Sequence, residues 1–253
     1  MDNTTESTAL LNYEESSLRN LIDKRGWRNL PERDRIGAIY DFVRDEIAFG
    51  YNTSDLWSAS SVLVDGYGQC NTKTTLLMAL LRGAGIPCRF HGATIHKRLQ
   101  KGVVDGFFYR LAPADIIHSW AEIQYEGRWI GLEGVILDDA YLRGLRNTVA
   151  SHGGQFLGYG VGTEDIDDPP IEWCGTDTAI QATGVNQDFG VFQDPDSFYR
   201  QQGANLSGLK GLLFRVVIRH LMNRKVRSIR NSMPKMAGAE RRSAARTNLE
   251  SEA

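Results

Sequence analysis

The sequence predicts an α+β protein in which one long, buried helix packs on an antiparallel sheet. Residues 69–82 contain the uninterrupted apolar run LLMALL, which is typical of a helix buried on nearly all sides. Strand-like patterns follow at residues 88–95 and 116–125. Glu126 and Gly127 then separate two strand patterns as a two-residue hairpin turn does, which indicates antiparallel pairing. A helix followed by such a sheet is typical of the α+β class.

The elements before the buried helix follow from spacing and composition. Residues 1–17 are polar and are predicted to be a flexible N-terminus, and residues 18–149 are predicted to form the core. Between residues 30 and 49 the apolar side chains recur at intervals of three and four, after a proline, which predicts an amphipathic helix. The glycines and the proline of GAGIP, residues 83–87, end the buried helix.

Residues 150–204 are rich in glycine, aspartate, proline and aromatic residues and have no clear helical or strand period. They are predicted to form an irregular covering segment of the same domain, because their aromatic side chains offer too much apolar surface to remain solvated. Residues 205–253 are predicted to form a basic helix and tail, disordered from about Lys235 onward. That segment contains 11 Lys/Arg and 3 Glu, a net charge of +8, against −10 for residues 1–204.

The basic segment could bind one of two classes of partner, an anionic surface or a protein. Its cations and apolar residues do not separate cleanly on a helical wheel, so a strongly amphipathic membrane helix is not indicated. Aromatic residues do not alternate with the cations, and no DNA-binding motif is present, so no nucleic acid is expected. An anionic surface or a protein partner remains.

Composition also restricts the compartment and the chemistry. No apolar run reaches the length of a transmembrane segment, and the first residues lack the basic flank and apolar centre of a signal peptide. Cys70, Cys88 and Cys174 lack CxxC spacing, and free thiols favour a reducing compartment, so a cytoplasmic location is predicted. On a strand, Cys88 and His91 would point to opposite faces. Neither a metal site nor a cofactor is therefore expected.

Cys70 opens the long helix directly after the glycine-rich turn GYG, and this position predicts a nucleophile. A thiol attacks carbonyl carbons as thiolate, and both a helix N-terminus and a nearby imidazolium lower a thiol pKa. Backbone N–H groups of the first turn can also bind a developing oxyanion. The alternative is a packing residue, since cysteine is among the most buried residue types.

The hairpin register predicts which groups stand near one another. With the turn at residues 126–127, Glu133 lies opposite Trp120 and diagonal to His118 on the same sheet face. Asp138, the competing acid, falls on the opposite face. A carboxylate beside an imidazole orients it and stabilises its charged form, so His118 and Glu133 are predicted to act with a nucleophile.

The segment GYGQCNTKTTLLMALLRGAGIPCRFHGATI followed by HSWAEIQYEGRWIGLE resembles the transglutaminase-like superfamily, which has a papain-like cysteine fold. The resemblance covers about residues 36–140. It implies that Cys70 is the nucleophile, His118 the base and Glu133, four residues after Trp129, the acid. The family usually has Asp in place of Glu133, and the longer side chain leaves open whether this member is fully active.

The same resemblance implies an acyltransferase or hydrolase that acts on an amide carbonyl through a Cys thioester, with a carboxamide-bearing protein or peptide as substrate. A cysteine peptidase of the same fold and a non-catalytic binding module are the alternatives. Related enzymes often take a second oxyanion donor from a side chain upstream of the cysteine. The candidates are the Gln69 amide, the Trp57 indole and the Tyr51 hydroxyl. The sequence has no series of regularly spaced acidic residues that would suggest a calcium site, so calcium dependence is not expected.

Overall fold

A computed structural model describes residues 4–149, 154–205 and 208–232. The α-helices are α1 (Ser16–Arg25), α2 (Glu32–Asp41), α3 (Ala59–Asp65), α4 (Cys70–Gly83), α5 (Gly106–Leu111), α6 (Asp139–Thr148), α7 (Pro195–Gln202), α8 (Gly208–Leu213) and α9 (Arg219–Arg230). The strands are β1 (Ala48–Phe49), β2 (Tyr67–Gly68), β3 (Cys88–His96), β4 (Asp115–Tyr125), β5 (Arg128–Gly131), β6 (Phe156–Gly158), β7 (Val161–Thr163) and β8 (Val185–Phe192). The main sheet is antiparallel, in the order β5-β4-β3-β8, and α4 packs against β4 and β3. The predicted α+β class is confirmed.

Helix α4 is buried along its whole length, as its apolar run predicts. It begins with a reciprocal cap. The backbone N–H of Gln69 donates to Thr72 Oγ1 at 3.0 Å, and the Gln69 side chain accepts from the Thr72 N–H. This cap fixes Cys70 as the first helical residue, at the end of the helix that carries partial positive charge.

The predicted amphipathic helix between residues 30 and 49 is divided in the structure. Helix α2 ends at Asp41, a π-helical turn covers Phe42–Glu46, and the chain then enters β1. β1 pairs in parallel with β2, the strand that leads directly into Cys70. The short parallel pair therefore anchors the glycine-rich turn in front of α4.

The hairpin turn is confirmed, whereas the predicted strand after it is too long. Glu126 and Gly127 have φ values of 48° and 76°, as a type I′ turn requires, and β5 pairs with β4 as far as Gly131. Strand pairing through Glu133 is wrong, because Glu133–Ile136 forms a 3₁₀ turn. The backbone N–H of Glu133 donates instead to the Thr178 carbonyl at 3.1 Å, so a distant segment draws the chain out of the sheet.

The description of residues 150–204 as irregular is wrong for part of that segment. β8 extends the main sheet by pairing with β3, and α7 follows it. β8 was not predicted from the sequence because it is an edge strand whose residues are mainly exposed or half-buried. Its apolar and polar residues do not alternate as they do in a strand with one buried face. Phe198 of α7 is fully buried, and its ring lies where a Cβ at Gly92 would come within 2.3 Å.

The N-terminal segment is not loose over the part that the structure describes. Leu11 is fully buried and Leu10 nearly so, and the Leu10 N–H donates to Asp196 Oδ1 at 3.2 Å. The Cys88 N–H donates to the Thr4 carbonyl at 3.0 Å. The prediction failed because one Leu-Leu pair in a polar stretch provides enough buried apolar surface to hold it against the core.

The basic C-terminal segment is helical, as predicted, in α8, a π-helical turn at Phe214–Ile218, and α9. α9 docks on α6, where Arg230 pairs with the buried Asp138 at 2.6 Å. The disorder predicted from Lys235 lies outside the described residues, and the anionic or protein partner stays a prediction. Among the residues that the structure describes, no helix is both long and apolar enough to cross a membrane.

Candidate active site

Cys70 lies at the N-terminus of α4, against the strand that carries His118. Its side chain is almost fully buried, with 8% of its surface exposed. The backbone N–H groups of Asn71 and Ser119 point at the sulfur. Because Ser119 directly follows His118, this contact joins the start of the helix to the histidine's position on β4.

The pKa of the Cys70 thiol is raised, contrary to the expectation of a lowered pKa. Burial raises the pKa of Cys70, and the negative charges of Asp55 and then Glu133 raise it further. The N–H groups of Asn71 and Ser119 lower it, but less. A helix N-terminus contributes about 0.3–1 kcal/mol, whereas complete burial can shift a pKa by about 3–5 units. Burial therefore dominates, and Cys70 needs a base to become a nucleophile.

His118 is fully buried, and its two ring nitrogens have different surroundings. Nε2 lies 2.9 Å from Glu133 Oε1, whereas Nδ1 has no hydrogen-bond partner among the described residues. A carboxylate can only accept, so the neutral imidazole carries its proton on Nε2. Nδ1 is then the free acceptor, which is the tautomer that a general base for a thiol requires.

Glu133 is held in place from outside the helix and sheet. Its Oε2 accepts from the Ile180 N–H at 2.7 Å and from the Gln181 N–H at 3.0 Å, and Oε1 also accepts from Gln181 at 3.1 Å. Residue 133 stands on the 3₁₀ turn that follows β5, and its side chain reaches His118 Nε2 at 2.9 Å. A glutamate at this position thus holds an anchored carboxylate beside the imidazole.

A polar network surrounds the entrance to the thiol and is centred on Asp55. Its Oδ1 accepts from Gln69 Nε2 at 3.2 Å and from Asn71 Nδ2 at 3.0 Å. Its Oδ2 accepts from the Asn205 backbone N–H at 3.2 Å and from Asn205 Nδ2 at 2.9 Å. Asn205 Oδ1 in turn accepts from the Ile117 N–H at 2.6 Å, next to His118. The network ties the loop before α4 to the segment that precedes α8.

Of the three candidate oxyanion donors, two lie beside Cys70 and one does not. The Gln69 amide and the Tyr51 side chain line the cavity beside Cys70. Burial raises the pKa of Tyr51, so its hydroxyl stays protonated and can donate. Trp57 is engaged elsewhere, because its indole N–H donates to Asp65 Oδ2 at 3.0 Å. The structure therefore brings Gln69 and Tyr51 to the site and not the Trp57 indole.

Cys70 opens into a cavity of about 270 Å³. One wall comes from the start of α4, a second from the segment between β3 and β4, and a third from the π-helical turn and α9. Side chains with apolar surface predominate, and Asp55, Gln69 and Asn205 stand near the thiol. A half-enclosed apolar cavity with a few polar groups at one end is typical of a small-molecule or side-chain binding site.

A second imidazole–carboxylate cluster lies on β3, β4 and β8, apart from the cavity. His91 Nδ1 is 2.6 Å from Glu122 Oε1, and His91 Nε2 is 2.7 Å from Asp188 Oδ1. Burial opposes charge on His91, but the bonds to these carboxylates hold its pKa above the usual value. Within residues 4–149, 154–205 and 208–232, no group of three His, Cys, Asp or Glu side chains is arranged to hold a metal ion.

Several site residues were not identified from the sequence. Asp55 lies in a polar loop with no motif, and its role depends on Asn205, which is 150 residues away along the chain. The backbone donors at Ile180 and Gln181 carry no side-chain signal at all. Only three-dimensional proximity reveals these contacts, because each joins segments that have no local pattern in common.

Comparison with known proteins shows a family resemblance for the part of the chain that carries this site. Residues 24–133 match the model of the transglutaminase-like superfamily, so the resemblance noted in the sequence is confirmed for that part of the chain. Cys70, His118 and Glu133 all fall within the match, and Glu133 is its last residue. No curated protein matches the chain significantly.

Among solved structures, one match is described as "a Putative Cysteine Protease from Cytophaga hutchinsonii". It has 14% sequence identity and a TM-score of 0.46, and the alignment covers 81% of this chain and 50% of that one. The present chain thus spans half the length of that structure.

Proposed function

We propose that this protein is a cysteine-dependent acyltransferase or hydrolase that cleaves an amide bond through a thioester on Cys70. His118 is the general base and acid, and Glu133 holds the imidazole. The observation that carries the proposal is the imidazole itself, whose Nε2 is bound to Glu133 at 2.9 Å while the buried Nδ1 is unpartnered. A histidine kept only for packing has no need of a buried, unpaired acceptor.

The first half of the reaction begins with a neutral thiol. His118 Nδ1 accepts the Cys70 proton as the sulfur attacks the carbonyl carbon, which forms a C–S bond and a tetrahedral oxyanion. The backbone N–H at the start of α4, with Tyr51 or Gln69, donates to that oxyanion. The C–N bond then breaks, and the amine leaves with the proton from Nδ1.

The second half reverses these proton movements with a new nucleophile. Water, or a second amine, gives a proton to Nδ1 and attacks the thioester carbon. The C–S bond breaks, and the sulfur regains the proton. Water yields a carboxylic acid, and an amine yields a new amide. Both outcomes use the same side chains, so the acceptor distinguishes hydrolase from acyltransferase.

In substrate-free enzymes the hydrogen bond between nucleophile and base is often long and tightens only when substrate binds. A protonated, buried Cys70 is consistent with such a resting state. A peptidase would use the same steps on a backbone amide, and a carboxamide on a protein or peptide side chain is the substrate class that we favour. We further propose a cytoplasmic location, since the three cysteines are free thiols.

The proposal is tested by trapping the thioester. The full chain is incubated with a panel of carboxamide-containing peptides, quenched in acid, and analysed by intact mass and by mapping of the modified peptide. We expect an acyl group on Cys70 that hydroxylamine removes, and no adduct on Cys70→Ala. His118→Ala should form the adduct about 10³- to 10⁴-fold more slowly. Added amines should appear in the product if transfer dominates. A binding module would give no adduct with any member of the panel.

A further inference from the structure

The cavity beside Cys70 has walls that the family match does not supply. The match ends at Glu133, whereas Ile218 and Met222 line the cavity from the C-terminal helices. Met222 is almost fully buried. The shape of the cavity therefore depends on a C-terminal segment that lies outside the family match.

The opposite wall comes from the segment between β3 and β4. Leu99, Val104 and Ile116 are buried there, and Phe108 of α5 is half-buried. All four side chains line the same cavity. Among the described residues that line the cavity, the charged ones, Asp55 and Arg215, stand on other walls, so this wall favours an apolar occupant.

The size of the cavity sets the size of its occupant. An apolar cavity of about 150 Å³ holds benzene, and this one measures about 270 Å³. It has room for a ring or for a chain of several methylene groups. The side chain of Leu111 at the rim is 41% exposed, so the entrance is apolar as well.

The group that stays bound to the sulfur decides which part of the substrate this cavity takes. In the thioester the acyl part remains attached to Cys70, whereas the amine must depart and a new nucleophile must enter. A half-enclosed cavity directly beside the sulfur suits the part that stays. We infer that the acyl part of the amide substrate carries a bulky apolar group, which on a peptide would be an apolar side chain beside the carboxamide residue, and that this group occupies the cavity.

This inference rests on the proposed function, but its test does not require catalysis. The probes are the primary amides acetamide, butanamide, hexanamide and octanamide, titrated calorimetrically against full-length Cys70→Ala protein. We expect binding to tighten about fourfold for each added methylene and to level off once the cavity is full. Equal affinity for all four amides would overturn the inference.

Two wall variants in the Cys70→Ala background change the cavity in opposite directions. Val104→Phe should fill it and weaken octanamide binding at least tenfold while acetamide binding stays unchanged. Phe108→Ala should enlarge it and move the levelling-off point to a longer chain. Val64→Phe is the matched control, because Val64 is 80% exposed on α3, outside the cavity.

Circular dichroism and thermal melting establish that each variant is folded, and Phe108→Ala keeps the test valid if Val104→Phe does not fold. If neither folded wall variant alters the chain-length preference, the inference is wrong. A chain-length preference in Cys70→Ala protein, together with no acyl adduct in the wild type, would support the cavity assignment and contradict the proposed function instead.

Discussion

Replacing Glu133 by glutamine should abolish catalysis and leave the fold in place. In the native structure Oε2 accepts from the backbone N–H groups of Ile180 and Gln181, and Oε1 faces His118 Nε2. A glutamine keeps both backbone bonds only if its oxygen takes the Oε2 position. Its NH₂ then faces Nε2 and donates to it, so the imidazole proton moves to Nδ1 and the base is lost.

The expected magnitudes follow from this change of tautomer. One charge-assisted hydrogen bond is lost, so the free energy of unfolding should fall by about 1.5–3 kcal/mol. Because an imidazole in the wrong tautomer slows triad catalysis by about 10⁴, acylation of Cys70 should fall by about three to four orders of magnitude. Glu133→Ala should be less stable than Glu133→Gln, since it leaves the N–H groups of Ile180 and Gln181 buried without an acceptor.

The assay is the rate of Cys70 acylation by 4-nitrophenyl acetate, measured by intact mass, alongside urea unfolding. Glu122→Gln is the matched control, because Glu122 also binds a histidine, His91, at 2.6 Å but lies away from the cavity. It should acylate at the wild-type rate. If Glu133→Gln were folded and acylated Cys70 as fast as the wild type, the role given to Glu133 would be refuted.

Three further substitutions test other parts of the site. Asp55→Asn should shift the pH dependence of Cys70 alkylation to lower pH, because the aspartate charge raises the thiol pKa; an unchanged profile would contradict this. Tyr51→Phe should slow acylation by about 10²-fold if its hydroxyl binds the oxyanion, with unchanged stability as the control. Burial lowers the pKa of Lys73 to about 7, so the unfolded chain binds the proton more readily than the folded protein above that pH. The free energy of unfolding should therefore rise by about 2 kcal/mol more in the wild type than in Lys73→Met between pH 7 and pH 9, whereas Lys24→Met should follow the wild type.

The parts of the fold that could be predicted from the sequence are those with strong local patterns. The apolar run of α4, the strand patterns of β3 and β4, and the turn at Glu126 and Gly127 each depend on neighbours in the chain. β8 could not be predicted, because an edge strand that is largely exposed shows no alternation. The N-terminal Leu10 and Leu11 were missed because a single apolar pair has no period.

The contact between His118 and Glu133 was predicted by a partly incorrect route. Hairpin register brought Glu133 to His118, but the strand ends at Gly131 and the contact is made from a 3₁₀ turn. The alternation of side chains between the two sheet faces still gave Glu133 as the neighbour of His118, because the 3₁₀ turn begins only two residues after the last paired residue of β5. The pKa of Cys70 could not be predicted, since it depends on burial and on Asp55, neither of which can be read from the helix start alone.

The most direct test of the account is the pH dependence of Cys70 alkylation by iodoacetamide in the wild type and in His118→Ala. We propose that the buried thiol is neutral at rest and that His118 Nδ1 removes its proton. Alkylation at neutral pH should therefore be about a hundredfold faster in the wild type than in the variant. Two coinciding profiles, both following an ordinary thiol pKa near about 8.5, would contradict it, as would a native Cys70 that iodoacetamide does not label.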